Sequence, residues 1–117
     1  MMLEPGEKVL IVHRRLFEED SPRYFLGTVD AYEQGLVKVT GFSFIRNPVE
    51  AEPAKKGGQR TKICSLASGT LIVYELPGTI EFASLVFESD RDGSVFLCDG
   101  RHFRMDITEK FHSKDRK

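Results

Sequence analysis

Short runs of β-branched and aromatic residues, separated by Gly, Pro, Asp and Ser, recur along the chain and constrain its fold more than any other feature. Helical periodicity is scarce, so each run predicts one strand of an all-β protein. The first five runs are EKVLIVHRRLF, RYFLGTVDAYE, LVKVTGFSFI, RTKICSL and GTLIVYEL. The join EQG predicts a tight hairpin, because Gly35 can adopt a positive φ. The first three runs therefore predict an antiparallel meander.

The segments between and after these runs predict the connections. Residues 46–59, RNPVEAEPAKKGGQ, combine two prolines, a glycine pair and mixed charges, which predicts the longest loop. RTKICSL and GTLIVYEL are then predicted to pair across ASG. Further on, DRDG and CDG predict turns on either side of SVFLC, and the alternation in RHFRMDIT predicts a half-buried strand. TIEFASLVFE fits either a helical turn or a strand over residues 77–84, and residues 85–88 look extended.

The chain length sets the size of the core and the number of domains. A chain of 117 residues can bury one modest core. We predict a strongly bent, SH3-like barrel over residues 1–76. Residues 77–117 are predicted to add a carboxy-terminal β-hairpin extension that packs on the same core and ends in a frayed polar tail.

The run TLIVYEL has apolar residues on both parities of a strand. Leu71 and Val73 alternate with Ile72 and Tyr74. Because side chains alternate across a strand, these four cannot all face one core. Either the carboxy-terminal segment covers the second face, or a second subunit does. The second alternative makes these four residues a candidate interface and predicts a homo-oligomer.

Two stretches, GTVDAYEQGLVKV and SGTLIVYEL, resemble the two motifs of the Sm-like family. The matching residues are Gly27, Val29, Tyr32 and Glu33 in the first motif and Gly69, Ile72 and Tyr74 in the second. The similarity covers residues 7–76 at most. It implies a strongly bent five-stranded barrel whose fourth and fifth strands join neighbouring subunits edge to edge in a ring.

The positions that carry RNA recognition in the Sm-like family differ in this chain. The family uses an aromatic residue and an Asn in the turn after the second strand, together with an Arg-Gly or Lys-Gly pair. Gly35, Val37 and Ser68 stand at those positions. They supply no stacking ring, amide or positive charge, so the resemblance implies the family's shape rather than its RNA site.

The charge distribution suggests a second functional hypothesis. The formal net charge is -1, which gives no general attraction to polyanions. Residues 46–74 nevertheless carry five Lys or Arg against two Glu, an excess of +3. Lys55, Lys56, Arg60 and Lys62 are therefore candidates for nucleic-acid phosphate contacts, against the alternative of a solvated loop. No aromatic residue lies among these cations to stack a base.

Aromatic residues of the second and third runs are candidates for a base-stacking platform. They are Tyr24, Phe25, Tyr32, Phe42 and Phe44. Core packing accounts for most of them. Only a solvent-facing ring with a basic neighbour would qualify, such as Tyr24 next to Arg23.

The candidates for catalysis and metal binding all have simpler structural interpretations. Cys98 and His102 could form a thiol–imidazole pair, but Cys98 is predicted to face inward and His102 outward. Asp90 to Gly93 lack the distal Glu of a calcium loop and predict a hairpin turn, and His13 is interpreted as a surface residue. No glycine-rich phosphate loop, paired catalytic acids or zinc-ligand cluster is present. We therefore expect a non-enzymatic protein with no metal and no cofactor.

The two cysteines and the amino terminus bear on cellular location. Cys64 and Cys98 lack the close-set pairs of metal sites or disulfide frameworks, which predicts reduced, buried thiols. The sequence MMLEPGEKVLIV has no basic leader, and no run approaches the ~18 apolar residues that span a membrane. The expected location is cytoplasmic, with no membrane partner.

Overall fold

The computed structural model describes residues 3–15, 21–46 and 53–108, and this part of the chain is built almost entirely from β-strands. The prediction of an all-β protein is confirmed. The strands are β1 (Lys8–His13), β2 (Arg23–Glu33), β3 (Leu36–Ile45), β4 (Ala54–Ser65), β5 (Leu71–Glu75), β6 (Val86–Ser89), β7 (Val95–Cys98) and β8 (Arg104–Asp106), with a 3₁₀ turn at Phe82–Ser84.

The strands form two antiparallel sheets. The larger sheet has the order β4-β3-β2-β1-β5, and the smaller has the order β6-β7-β8. The predicted pairing of RTKICSL with GTLIVYEL is wrong, because β4 pairs with β3 and β5 pairs with β1. The apolar residues of β1 favour a position with a paired strand on each side. β2 pairs along one edge of β1, and β5 pairs along the other edge. β4 and β5 are therefore the two edges of the larger sheet.

The larger sheet is strongly bent, as the β4–β5 connection shows. The Leu66 amide, just beyond β4, donates to the Gly35 carbonyl in the β2–β3 turn, while the Thr70 carbonyl accepts from the Arg14 amide just beyond β1. In a flat sheet, Leu66 and Thr70 would therefore lie at opposite ends of the strands, at least about 30 Å apart. Four residues span only about 14 Å. Among the described residues β4 and β5 do not pair with each other, so a closed barrel stays a prediction.

A pair of opposed glycines allows two central strands to approach closely. Gly27 and Gly41 lie directly opposite each other in β2 and β3. A Cβ on Gly41 would lie 1.9 Å from the Leu26 carbonyl oxygen and 2.5 Å from the Gly27 Cα. A Cβ on Gly27 would lie 2.5 Å from the Thr40 carbonyl oxygen. This close approach therefore excludes any side chain at either position.

The larger sheet is buried on both faces along β1. Val9 and Ile11 pack on what we call the inner face, with residues of this sheet and with Leu3 and Leu66 outside its strands. Leu10 and Val12 pack on the outer face. The residues that complete the inner cluster are Phe25, Val29, Val37, Val39 and Cys64. The sheet thus bends around its inner face.

The smaller sheet covers the outer face. It contributes Phe87, Val95 and Leu97 to one cluster with Leu10 and Val12, and Ile107 beyond β8 joins them. The Phe87 ring lies 5.1 Å from that of Tyr24 and 4.9 Å from that of Phe44, measured between centroids. The segment between β5 and the smaller sheet is hydrogen-bonded to β1, because Lys8 Nζ donates to the carbonyls of Gly78 and Ile80.

The contacts of β5 show which part of the molecule covers the second face of TLIVYEL. Leu71 and Val73 pack against the inner cluster, and Tyr74 packs against the outer cluster that includes the smaller sheet. The carboxy-terminal segment therefore supplies the cover on the Tyr74 side. Ile72 alone among the four is exposed, at 37% of its surface.

The predicted loop over residues 46–59 is partly wrong, since residues 54–59 belong to β4. Opposite β3, Arg60 pairs with Gly41 and Lys56 pairs with Ser43, so residues 57–59 bulge out against Phe42. Gly57 takes a φ of +70°, which lets the chain leave the ladder and return without ending the strand. Residues 47–52 lie outside the described residues.

The remaining connections follow their sequence signals. Gly35 has a φ of +83°, and the Asp90 side chain accepts the amides of Asp92 and Ser94 in the β6–β7 turn, which confirms both hairpins. Over residues 77–84 the structure has a 3₁₀ turn at Phe82–Ser84 and no strand, and β6 begins at Val86, within residues 85–88 that were expected to be extended. The predicted frayed tail, residues 109–117, lies outside the described residues. Within the described part, no helix is long and apolar enough to cross a bilayer.

Candidate anion-binding face

The strand register distributes the four predicted cations over both faces of the larger sheet. Residues directly opposite each other on paired strands share a face. Lys62 lies opposite Val39 of the inner cluster, and Arg60 and Lys56 lie opposite Gly41 and Ser43, which are two and four residues along β3 from Val39. Lys55 lies opposite Phe44, which packs on the outer face. The structure therefore brings three of the four cations together and separates Lys55 from them.

Two further basic residues lie on the same inner face. His13 of β1 and Arg23 of β2 are directly opposite each other. Each is two residues from a buried residue of the inner cluster, Ile11 and Phe25 respectively. His13 was interpreted as a surface residue, whereas it is half-buried here. The sequence signal for this position is that His13 follows the apolar Ile11 by two residues, which places both side chains on one face of a strand.

Lys62 reaches from the edge strand into the centre of this face. Its Nζ lies 4.7 Å from the centroid of the Phe25 ring, which is only 1% exposed. An ammonium over an aromatic face is attracted by the ring quadrupole. On the outer face Lys55 makes the equivalent contact, with its Nζ 4.2 Å from the Phe42 ring centroid. The two lysines are thus held on opposite sides of the sheet.

The β4 bulge positions Arg60. A Cβ built on Gly57 would lie 3.2 Å from Arg60 Nη2, so the guanidinium lies against the backbone of the bulge. A glycine at position 57 leaves room for this contact and supplies the positive φ. The bulge that interrupts the ladder therefore also fixes one of the inner cations.

The electrostatic environment of His13 is positive. Burial lowers the pKa of its imidazole below the ordinary 6.5, and the charges of Lys62 and Arg23 lower it further. The strand on its other side, β5, places Leu71 opposite it. In the described part of the chain, the acid nearest to it along β5 on this face is Glu75, four residues from Leu71, or about 13 Å along the strand. Among the described residues, this end of the inner face therefore holds positive charge without a neighbouring carboxylate.

The aromatic residue singled out for base stacking is in the core. Tyr24 is 3% exposed and packs against Phe87, so the prediction of a solvent-facing ring is wrong. Phe25 is equally buried, and Tyr32, Phe42 and Phe44 are partly buried. Parity explains the result, because Tyr24 shares the outer face with Leu26, and the smaller sheet covers that face.

The structure places Cys98 in the core and His102 at the surface. Cys98 is buried, and its thiol lies 3.8 Å from the Val86 carbonyl oxygen as donor. Burial raises the pKa of this thiol, and a hydrogen bond with Glu88 raises it further, which disfavours the thiolate. His102 is exposed in the β7–β8 loop.

Asp99 is engaged in holding the β7–β8 loop. Its Oδ1 accepts the amides of Arg101, His102 and Phe103 at 2.9, 3.1 and 3.0 Å. These bonds, with that from Arg101 the largest influence, hold the pKa of the carboxyl below its usual range. A cavity of about 640 Å³ opens beside this loop, between Pro77–Glu81 and His102. Cys98 is not among the residues that line it.

The edges of the larger sheet carry the exposed aliphatic residues relevant to assembly. Ile63 on β4 is 68% exposed, and Ile72 on β5 is 37% exposed. Ile63 was not predicted, although its place between Lys62 and the buried Cys64 in a strand indicates that it faces away from the inner cluster. Both cysteines are buried and outside any disulfide, as predicted.

Across the described residues, no group of three or more His, Cys, Asp or Glu side chains is arranged to hold a metal ion. Comparison of the chain with protein-family models, with curated proteins and with solved structures gives no match. Proposals about its function therefore depend on the geometry above and on the motif resemblance.

Proposed function

We propose that this chain is a non-enzymatic, Sm-like β-barrel protein that forms a homo-oligomer and acts as a binding or scaffolding module. The observation that carries the proposal is the strand order, which leaves β4 and β5 as the two edges of one bent sheet. These are the strands through which the Sm-like resemblance implies contact between subunits.

The side chains on the two edges support this assignment. Unpaired strand edges present rows of amide and carbonyl groups that favour pairing with another strand. Here each edge also presents a large aliphatic side chain, Ile63 on β4 and Ile72 on β5. Because the two edges differ, pairing between them is heterologous, and a heterologous contact gives a ring when its rotation closes.

A charge placed on either edge should disrupt assembly. We expect Ile63→Lys and Ile72→Lys each to shift the mass measured by light scattering at micromolar concentration from the oligomer towards the monomer, because a lysine ammonium resists burial. Leu36→Lys is the matched control. Leu36 is 48% exposed but lies on β3, inside the sheet, so this variant should keep the mass of the unmodified protein.

Two outcomes contradict the edge model. A monomeric mass for the unmodified protein removes the assembly. An oligomer that survives both edge substitutions but dissociates with Val86→Lys places the contact on β6, an edge of the smaller sheet on which Val86 is 48% exposed.

A second candidate function is nucleic-acid binding through Lys55, Lys56, Arg60 and Lys62. The observation that favours it is that all four lie on an edge strand, where cations of both faces can contact a polyanion running along the edge. Such contacts release counterions and weaken steeply with salt.

Filter binding of single-stranded RNA at low ionic strength tests this candidate. We expect each of Lys55→Gln, Lys56→Gln, Arg60→Gln and Lys62→Gln to weaken binding and to reduce its salt dependence, because each removes about one phosphate contact. Absence of binding at low salt, where phosphate attraction is strongest, excludes this function.

A further inference from the structure

We propose that the inner face of the larger sheet contains a binding site for a phosphate group or a similar tetrahedral oxyanion, formed by His13, Arg23 and Lys62. The site shares Lys62 with the β4 edge but lies on the inner face of the sheet, and it does not depend on assembly. It adds two residues, His13 and Arg23, to the cations suggested by the sequence.

The geometry brings the three groups together from three strands. His13 and Arg23 are a directly opposed pair, whose Cβ atoms lie about 5 Å apart. Lys62 places its Nζ over the ring of Phe25, which follows Arg23 by two residues on the same face of β2. Arg60 and Lys56 lie on the same face and flank the site from β4.

The surroundings strengthen the attraction for an anion. The floor of the site is apolar, since the Phe25 ring is buried and Leu71 lies opposite His13. Charges interact more strongly over such a low-dielectric surface than in water. The described residues place no carboxylate among these cations, and the charges that act on His13 come from Lys62 and Arg23. Within the described residues, the arrangement therefore carries positive charge that a ligand can neutralise.

The chemistry favours a dianion such as a phosphate monoester. Arg23 can offer a planar pair of N–H donors to two oxygens, and Lys62 offers a compact ammonium. A protonated imidazole adds a third cation and a further N–H donor. A monoester dianion balances more of this charge than the single charge of a backbone phosphodiester does.

Ligand binding should be coupled to the protonation of His13. Without ligand, burial and the two cations keep the pKa of the imidazole below 6.5, so the folded protein opposes its protonation. Folding stability from this group is therefore present above pH 6.5 and is lost as the pH falls through the folded-state pKa. An anion at the site reverses the local field and raises the pKa. By linkage, anion affinity must rise as the pH falls, by up to about tenfold per pH unit.

Sulfate is the probe for the first experiment, because it stays a dianion throughout the range from pH 7.5 to 5.5. The pKa of His13 is measured from its imidazole resonances by NMR, with and without sulfate, at constant ionic strength. We expect sulfate to raise this pKa and to raise the melting temperature more at pH 5.5 than at pH 7.5. In His13→Gln the pH dependence of the sulfate effect should disappear.

Lys55→Gln is the matched control, since it removes a cation from the same strand but from the opposite face. We expect Arg23→Gln and Lys62→Gln to weaken sulfate binding severalfold and Lys55→Gln to leave it unchanged. An unchanged His13 pKa in saturating sulfate overturns the proposal, and this measurement needs no variant. Equal losses in Lys55→Gln and Lys62→Gln also overturn it, because they indicate general charge attraction.

Two short RNAs of one sequence, one with a 5′ phosphate and one with a 5′ hydroxyl, identify the source of the phosphate. Preference for the 5′ phosphate, lost in His13→Gln, assigns the site to the end of a nucleic acid. Sulfate binding without binding of either RNA assigns it to a free phosphate ester. Equal binding of both RNAs without an effect of His13→Gln overturns the proposal in favour of backbone contacts. These results are independent of the mass measured by light scattering, so failure of the site and failure of the assembly are distinguishable.

Discussion

Gly41→Ala should lower the free energy of unfolding by about 3 kcal/mol or more. The new Cβ would lie 1.9 Å from the Leu26 carbonyl oxygen and 2.5 Å from the Gly27 Cα. Both atoms belong to the backbone of β2, so a rotamer change cannot relieve the overlap, and the two strands must separate. A protein of this size has only about 5–15 kcal/mol of stability, so the variant should be close to unfolding at physiological temperature.

The measurement is urea denaturation followed by circular dichroism, with Gly58→Ala as the control. Gly58 also belongs to the larger sheet, in β4, but a Cβ there meets no atom within 4 Å. We expect this change to stay within about 0.5 kcal/mol. Equal stability of the two variants contradicts the close approach of β2 and β3 at this point.

Phe87→Ala should lower the free energy of unfolding by about 3–5 kcal/mol. Phe87 is 7% exposed, and its ring packs between Tyr24 and Phe44 at the interface of the two sheets. Truncation removes the apolar surface that the ring buries and leaves a cavity that the sheets on either side cannot fully close. The loss therefore falls on the contact that joins the two sheets.

Phe96→Ala is the control for this substitution. Phe96 lies on the neighbouring strand β7, is only half-buried and faces Arg104, whose Cζ lies 3.7 Å from the ring centroid. We expect a loss of less than about 1.5 kcal/mol. Because one cluster spans both sheets, the unmodified protein should unfold in a single transition. Separate transitions for the two sheets contradict the shared core.

Local sequence signals predicted those parts of the fold that depend on a few adjacent residues. Gly35 indicates its turn because few other residues adopt a positive φ, and Asp90 indicates the β6–β7 hairpin because its carboxylate accepts nearby amides. The strand pairing of β5 was predicted wrongly. Whether β5 pairs with β4 or β1 depends on contacts between residues about 60 positions apart, and these leave no local pattern.

The candidate site also depends on contacts between residues far apart in the sequence, which leave no local pattern. The prolines and glycines of residues 46–59 indicate a loop, whereas residues 54–59 are in a strand whose register places Lys56 and Lys62 on one face and Lys55 on the other. His13 lies on β1 and Lys62 on β4, three strands away in the sheet order, so only the bend of the sheet brings their charges close enough to interact. The sequence contains these residues but does not indicate that they are neighbours.

The bulge in β4 limits how far an added strand can extend. A strand from another molecule that pairs with residues 60–65 reaches Gln59 after six positions, where the row of amides and carbonyls is interrupted. Continuous sheets that grow molecule by molecule, as in amyloid fibrils, need long and regular edges. The displaced residues 57–59 thus restrict this edge to short contacts and protect an otherwise exposed strand from fibrous aggregation.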